Sequence, residues 1–192
     1  MDKALDYTDK TDEELMALMA GADHRAAAAL VARHQRGLLN LFWRYTGDRM
    51  LAEDLAQEVF LRVYKSAPLY EPRAPFSVWL YRIAKNVCFN ELAARRVRHR
   101  PQMAQPQMAE AEAQEHAASP HEAVERAQRE VRVRQAVEAL PERQRLAIVL
   151  QRYHALSLAE VAEVMETTPE AVEALLARAK DKLRHSLADL LG

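Results

Sequence analysis

Helix starts and stops are written into this chain at short intervals, and no run of β-branched residues interrupts them. Thr11 and Glu14 have capping-box spacing, in which a hydroxyl and a carboxylate three residues apart satisfy the first free amides of a helix. Asp23 opens a longer helical pattern to Tyr45, closed by Gly47, which suits a left-handed C-cap. Asp48 can cap the next helix, from about Arg49 to Ser66, which ends before Pro68. The prolines at 68, 72 and 75 make the stretch between Pro68 and Pro75 a loop. A fourth helix follows from Phe76 to about Arg96. Helical signals resume at Ser119, Pro120 and Glu122, run to Leu140 and stop at Pro141. Three more helices are expected: Glu142 to Tyr153, Ser157 to Met165, and one from Pro169 towards the C-terminus. Glycine is scarce while Ala, Leu, Glu and Arg abound, so the expected fold class is all-α.

Residues 101–120 break this pattern. They are Pro, Gln, Ala, Met, Glu and His with little apolar periodicity, the composition of a flexible linker. We therefore expect two small helical domains, 1–97 and 122–192, joined by a linker over 98–121. The single cysteine, Cys88, excludes an internal disulfide framework and fits a reducing compartment. There is no uncharged apolar run of about 18 residues, and no apolar core follows a basic start. These features predict a cytoplasmic protein without membrane insertion. Net charge is +1 over residues 1–96, −2 over 97–130 and 0 over 131–192. Phosphate neutralisation supplies most non-specific affinity for nucleic acid, so neither near-neutral domain is expected to bind DNA strongly without a partner.

One stretch departs from neutrality. Between Arg73 and Arg100 stand Arg73, Arg82, Lys85, Arg95, Arg96, Arg98 and Arg100 against the single acid Glu91, interleaved with Phe76, Trp79, Tyr81 and Phe89. Cations bind phosphates while flat rings stack on unpaired bases, so single-stranded nucleic acid is the expected ligand. On a helical projection Phe76, Leu80, Ile83, Ala84, Val87 and Cys88 form a core stripe. Trp79, Arg82, Lys85, Asn86, Phe89 and Arg96 fall opposite. Packing of Trp79 and Phe89 against a neighbouring helix is the plainer alternative. Arg95 and Arg96 are also explained by attraction to the helix C-terminus.

On the helix before it, Ala52, Leu55, Ala56, Val59, Phe60 and Val63 make the apolar stripe, with Asp54, Gln57, Glu58, Leu61 and Lys65 opposite. Asp54, Gln57 and Glu58 are neighbours at i, i+3 and i+4. A leucine among acids and an amide points to protein docking, because anions repel phosphate. A solvated acidic face accounts for the same residues. No nucleophile pair or glycine-rich phosphate loop accompanies the acids, and the histidines lack metal-ligand spacing. No enzyme activity, metal or cofactor is expected.

The segments Ala52-Glu-Asp-Leu-Ala-Gln-Glu-Val-Phe60 and Phe76-Ser-Val-Trp-Leu-Tyr-Arg-Ile-Ala-Lys-Asn-Val87 together resemble region 2 of bacterial RNA polymerase sigma factors. Ala139-Leu-Pro-Glu-Arg-Gln-Arg-Leu146 and Leu156-Ser-Leu-Ala-Glu-Val-Ala-Glu-Val-Met165 resemble region 4. The chain is thus similar to the extracytoplasmic-function (ECF) group, which has only these two regions. The resemblance implies a factor that binds core RNA polymerase, recognises double- and single-stranded promoter DNA, and starts transcription under an anti-sigma factor, as a monomer when free of partners. It implies core-polymerase docking by Asp54, Gln57, Glu58 and Leu61. For the −10 element the candidates are Phe76, Trp79, Arg82, Lys85, Asn86, Phe89, Asn90, Arg95 and Arg96, with the Pro-rich loop forming a flipped-base pocket. The linker acids Glu110, Glu112 and Glu115 would lie towards the RNA exit path.

Ser157 with Glu160, then Thr168 with Pro169, mark the two helices of a helix-turn-helix. Val172, Leu176, Ala179 and Leu183 form the core stripe of the second. Its N-terminal end, which should read base edges in the major groove, offers Glu170, Glu173, Ala174 and Ala177. Family members usually place basic or hydroxyl residues at the positions held here by Glu173, Ala174 and Leu175. The candidate −35 set is Thr167, Thr168, Glu170, Glu173, Arg178, Lys180 and Lys182. A glutamate can accept from cytosine's amino group; weak or phosphate-dependent −35 contact is the alternative. The acidic start also leaves open a helix-turn-helix regulator or adaptor of sigma ancestry without initiation activity.

Overall fold

The computed structural model describes the backbone of residues 7–98 and 120–190 and the side chains of 7–95 and 128–190. The linker acids Glu110, Glu112 and Glu115 and the side chain of Arg96 lie outside these residues. The helices are α1 (Asp12–Ala20), α2 (His24–Thr46), α3 (Arg49–Ser66), α4 (Phe76–Arg98), α5 (Pro120–Glu138), α6 (Glu142–Tyr153), α7 (Leu158–Met165) and α8 (Pro169–Ser186). No strand occurs among the described residues.

The expected caps are in place. Thr11 Oγ1 accepts from Glu14 N–H at 3.2 Å while Thr11 N–H donates to Glu14 Oε2 at 2.7 Å. Ser157 N–H donates to Glu160 Oε2 at 2.8 Å, and this bond with that of the Ser157 hydroxyl holds the Glu160 carboxyl below its usual range. The Pro-rich segment is not all irregular: Ala67–Leu69 form a 3-10 turn that prolongs α3. The capless start of α4 is satisfied from a distance, Phe76 N–H donating to Glu13 Oε1 of α1 at 3.0 Å.

Two helical modules form as expected, but they do not stand apart. A single cluster of buried residues runs from Leu15, Phe42, Val59 and Leu80 to Leu146, Leu150, Val161 and Val172. Helix α2 packs on α5 and α6, and α4 packs on α7. Arg145 of α6 ties the seam, with Nη1 donating to the Tyr45 carbonyl at 2.6 Å and Nη2 to the carbonyls of Leu140, at 3.2 Å, and Glu138. Gly47 sits at φ +72°, and a Cβ there would come within 2.6 Å of Glu138 Oε1. The left-handed α2 cap favours glycine here, and a larger residue would also have to displace the Glu138 carboxylate of α5.

Candidate nucleic-acid interface

Helix α4 carries the candidate face, and its members meet different fates. Phe76, on both the core stripe and the −10 set from sequence, is 2% exposed. It is a core residue, 5.2 Å from the His34 ring, so its −10 assignment is corrected. Trp79 is half-buried rather than free. Its ring lies 4.9 Å from Tyr70 and 5.7 Å from Phe76 in tilted and edge geometry, which pins the Pro-rich segment to the start of α4. Phe89 is half-buried too, 6.1 Å from Tyr45. Packing against neighbours, the plainer alternative, accounts for much of both rings. Asn86 and Asn90 are exposed. Arg95 bonds Glu91 Oε1 at 3.1 Å and Asp48 Oδ2 at 3.4 Å, an internal role beside the helix C-terminus.

The two central cations face the chain's own acids. Lys85 is buried, and its Nζ lies 3.1 Å from Glu166 Oε2. Arg82 Nη2 lies 3.4 Å from Glu163 Oε1 and donates to the Glu163 carbonyl at 3.3 Å. Glu163 is in α7 and Glu166 is its C-cap, so the helix-turn-helix lies over this part of α4. Projection had set Lys85 among solvent-facing residues; burial by α7 is the physical reason for the difference. Beside the pairs, the Tyr81 hydroxyl and His154 Nδ1 share a hydrogen bond at 2.8 Å. Burial pushes the Tyr81 phenol up to about 12. Burial, assisted by the nearby Arg44 cation, pushes His154 down to about 4. The bond thus joins a protonated phenol and a neutral imidazole.

Helix α3 shows the opposite condition. Asp54 and Gln57 are exposed and Leu61 is 54% exposed. Glu58 is half-exposed and accepts from Arg62 Nε at 2.7 Å, one turn on. Met50, 75% exposed, extends the same stripe at i−4 from Asp54. The sequence reading missed Met50; its spacing was the available signal.

On α8, Thr168 accepts from Ala171 N–H at 3.3 Å as N-cap. Glu170 is held below the usual carboxylate range by its own backbone amide and by the Thr168 hydroxyl. It is thus occupied with its own helix end. Glu173, Arg178, Lys180 and Lys182 are exposed, and Thr167 is half-exposed.

The Sigma-70 region 2 family model matches residues 30–98, which include α3 and α4, and the Sigma-70 region 4 model matches residues 130–183. The RNA polymerase sigma-H factor of Pseudomonas aeruginosa is 32% identical over 188 residues, 96% of this chain and 97% of that one. The chain is a sigma factor of the sigma-70 family, in the ECF group. ECF RNA polymerase sigma factor SigW of Bacillus subtilis is 29% identical, over 88% of this chain and 92% of that one. The ECF sigma-E factor of Escherichia coli K12 is also 29% identical, over 94% and 96%. Among solved structures, CnrH in complex with the cytosolic domain of CnrY aligns with a TM-score of 0.69 and 25% identity, covering 94% of this chain and 99% of that one.

As a sigma factor the chain binds core RNA polymerase and directs promoter recognition, and the resemblance read from its motifs holds for the whole family assignment. Among the described residues there is no cluster of acids, histidines and cysteine fit to hold a metal, and no helix long and apolar enough to cross a membrane. Sequence reasoning missed His154, Glu163 and Glu166, and noted Tyr81 only as an aromatic of the basic stretch. A signal existed for the last two: Arg82 and Lys85 are three residues apart, as are Glu163 and Glu166, with charges opposed.

Proposed function

We propose that this sigma factor docks on core polymerase through α3 and opens the −10 region with α4. Asp54, Gln57, Glu58 and Leu61 meet the polymerase, with Met50 at the edge of the contact. Asn86 and Asn90 supply amides to base edges, Arg82 and Lys85 bind the strand's phosphates, and Trp79 stacks from its half-buried seat. Flipping a base out of the stack costs a few kcal/mol, which these contacts offset. The C-terminal module holds the −35 duplex chiefly through phosphate contacts from Arg178, Lys180 and Lys182, with Glu173 near base edges. Thr167 and Thr168 lie at the entry of the reading helix. The partner that restrains it is an anti-sigma factor, a reading supported by the structural likeness to CnrH bound to CnrY. It works beside the polymerase in the cytoplasm, is a monomer when free, and performs no catalysis of its own.

The observation that carries the reading is the solvated α3 stripe, acidic at its centre and apolar at both ends, which the other described residues leave exposed. Desolvated acids flanked by apolar anchors dock on a basic protein surface, and such faces carry most of an interface's affinity in a few side chains. Run-off transcription with purified core enzyme tests it. The Asp54→Ala/Glu58→Lys pair should lose core affinity and transcript together while its unfolding midpoint stays put. Full activity and full core affinity in that variant would refute the docking face.

A further inference from the structure

We infer that Glu173 is the base-reading side chain of α8 and that it selects cytosine in the −35 duplex. The inference rests on the reading of the C-terminal module as the holder of that duplex and adds which base the module chooses. The family assignment supplies the ligand, promoter DNA, and the helix-turn-helix supplies the approach, its second helix entering the major groove by its N-terminal half.

Val172, Leu176 and Ala179 turn into the core and are buried. After Pro169, the exposed residues of the N-terminal half are Glu170, Glu173, Ala174 and Ala177. No side chain of the helix offers a hydrogen-bond donor before Arg178. Two polar groups near its start are already engaged. The Thr168 hydroxyl accepts from Ala171 N–H at 3.3 Å, and the Glu170 carboxylate is held by its own backbone amide and by Thr168. Glu173 is different: it is exposed and makes no hydrogen bond or ion pair with any described residue. One free acceptor between two alanine methyls is what this face presents to a base pair.

The major-groove code then decides the base. A carboxylate only accepts. Guanine shows it two acceptors, O6 and N7, and thymine shows O4, so both repel it. Adenine offers N6 but sets N7 beside it, where the second carboxylate oxygen would stand. Cytosine shows its N4 amino donor with no acceptor on the same base edge. The methyls of Ala174 and Ala177 add no hydrogen bond and so leave the choice to Glu173. Arg178, Lys180 and Lys182, all exposed, supply the phosphate attraction that keeps a carboxylate in the groove. Glu173 thus acts through the bases it rejects more than through the affinity it adds.

Selection from a promoter library tests it. Holoenzyme made with the full chain is presented with a promoter this factor directs, randomised over the −35 base pairs alone, and the retained sequences are counted. The parent should enrich cytosine at one position by at least about fivefold over each other base. Glu173→Ala should level that position, and Glu173→Gln should raise adenine there to at least the level of cytosine, because an amide matches adenine N6 and N7 together. The other positions should not move, and neither should the urea midpoint, since Glu173 is exposed. A parent without a cytosine preference at any −35 position, or a preference unchanged in either variant, would overturn the assignment of Glu173. In those cases retention that still falls when the −35 base pairs are removed would leave the −35 reading of the module intact. Retention indifferent to their removal would overturn that reading as well.

Discussion

Helices α3 and α4 lie side by side in one module, yet their outward faces are treated in opposite ways. The α3 face is acidic, flanked by Met50 and Leu61, and open to solvent. The α4 face is cationic, flanked by half-buried rings, and occupied by Glu163 and Glu166 of the C-terminal module. The difference follows from electrostatics within the chain. An acidic α7 can lie on cations and cannot lie on acids, so the packing of the modules covers the α4 cations and leaves the α3 face exposed.

The largest effect should come at the base of the α4 face. Phe76→Ala removes a core ring and should cost about 3–5 kcal/mol of stability, read as a lower urea midpoint. A surface residue would cost almost nothing, and that result would return Phe76 to the DNA-contacting set. Next, Asp54→Lys with Leu61→Ala on α3 should weaken core-enzyme affinity by roughly 2 kcal/mol or more without moving the urea midpoint. Equal core binding would show that the open face is merely solvated.

The seam also responds to acid. His154 is held neutral, down at about 4, against an ordinary value of 6.5. Its neutral form therefore favours the folded state fully above pH 6.5, and that contribution is lost as pH falls towards 4. Between pH 7 and 5 the chain should lose roughly 1–2 kcal/mol of stability through this group. His154→Gln should flatten that part of the stability–pH curve, and an unchanged slope would remove His154 from the seam. The smallest effect should be Asn86→Ala, within about 0.5 kcal/mol in the urea midpoint, because the amide is solvent-exposed. A larger loss would mean that Asn86 belongs to the fold rather than to the strand.

Local signals made most of the fold legible. Thr11 with Glu14, Asp23, Gly47, Asp48, Ser157 with Glu160, and Thr168 each mark a helix end through a nearby hydrogen bond that sequence spacing encodes. The stripe of α3 was equally readable because no distant residue among those described covers it. The α4 face was not, since burial of Lys85 depends on a helix some eighty residues away, as the Arg82–Glu163 bond with its separation of 81 illustrates. Helical projection reports which way a side chain leaves its own helix; it does not report which helix arrives there. For the same reason projection left packing of Trp79 as one alternative, without showing that Tyr70 of the Pro-rich segment lies against it. The Ala67–Leu69 turn was hidden by Pro68, which ends an α-helix but is tolerated at the start of a 3-10 turn.

The central claim is that the outward face of α4 opens the −10 region. Permanganate reactivity of unpaired thymines, followed in holoenzyme on a promoter this factor directs, tests it most directly with Trp79→Ala/Asn86→Ala. The account predicts core affinity equal to that of the parent chain and thymine reactivity lower by at least about tenfold, from the loss of stacking and edge contacts. Equal reactivity in that variant would contradict it.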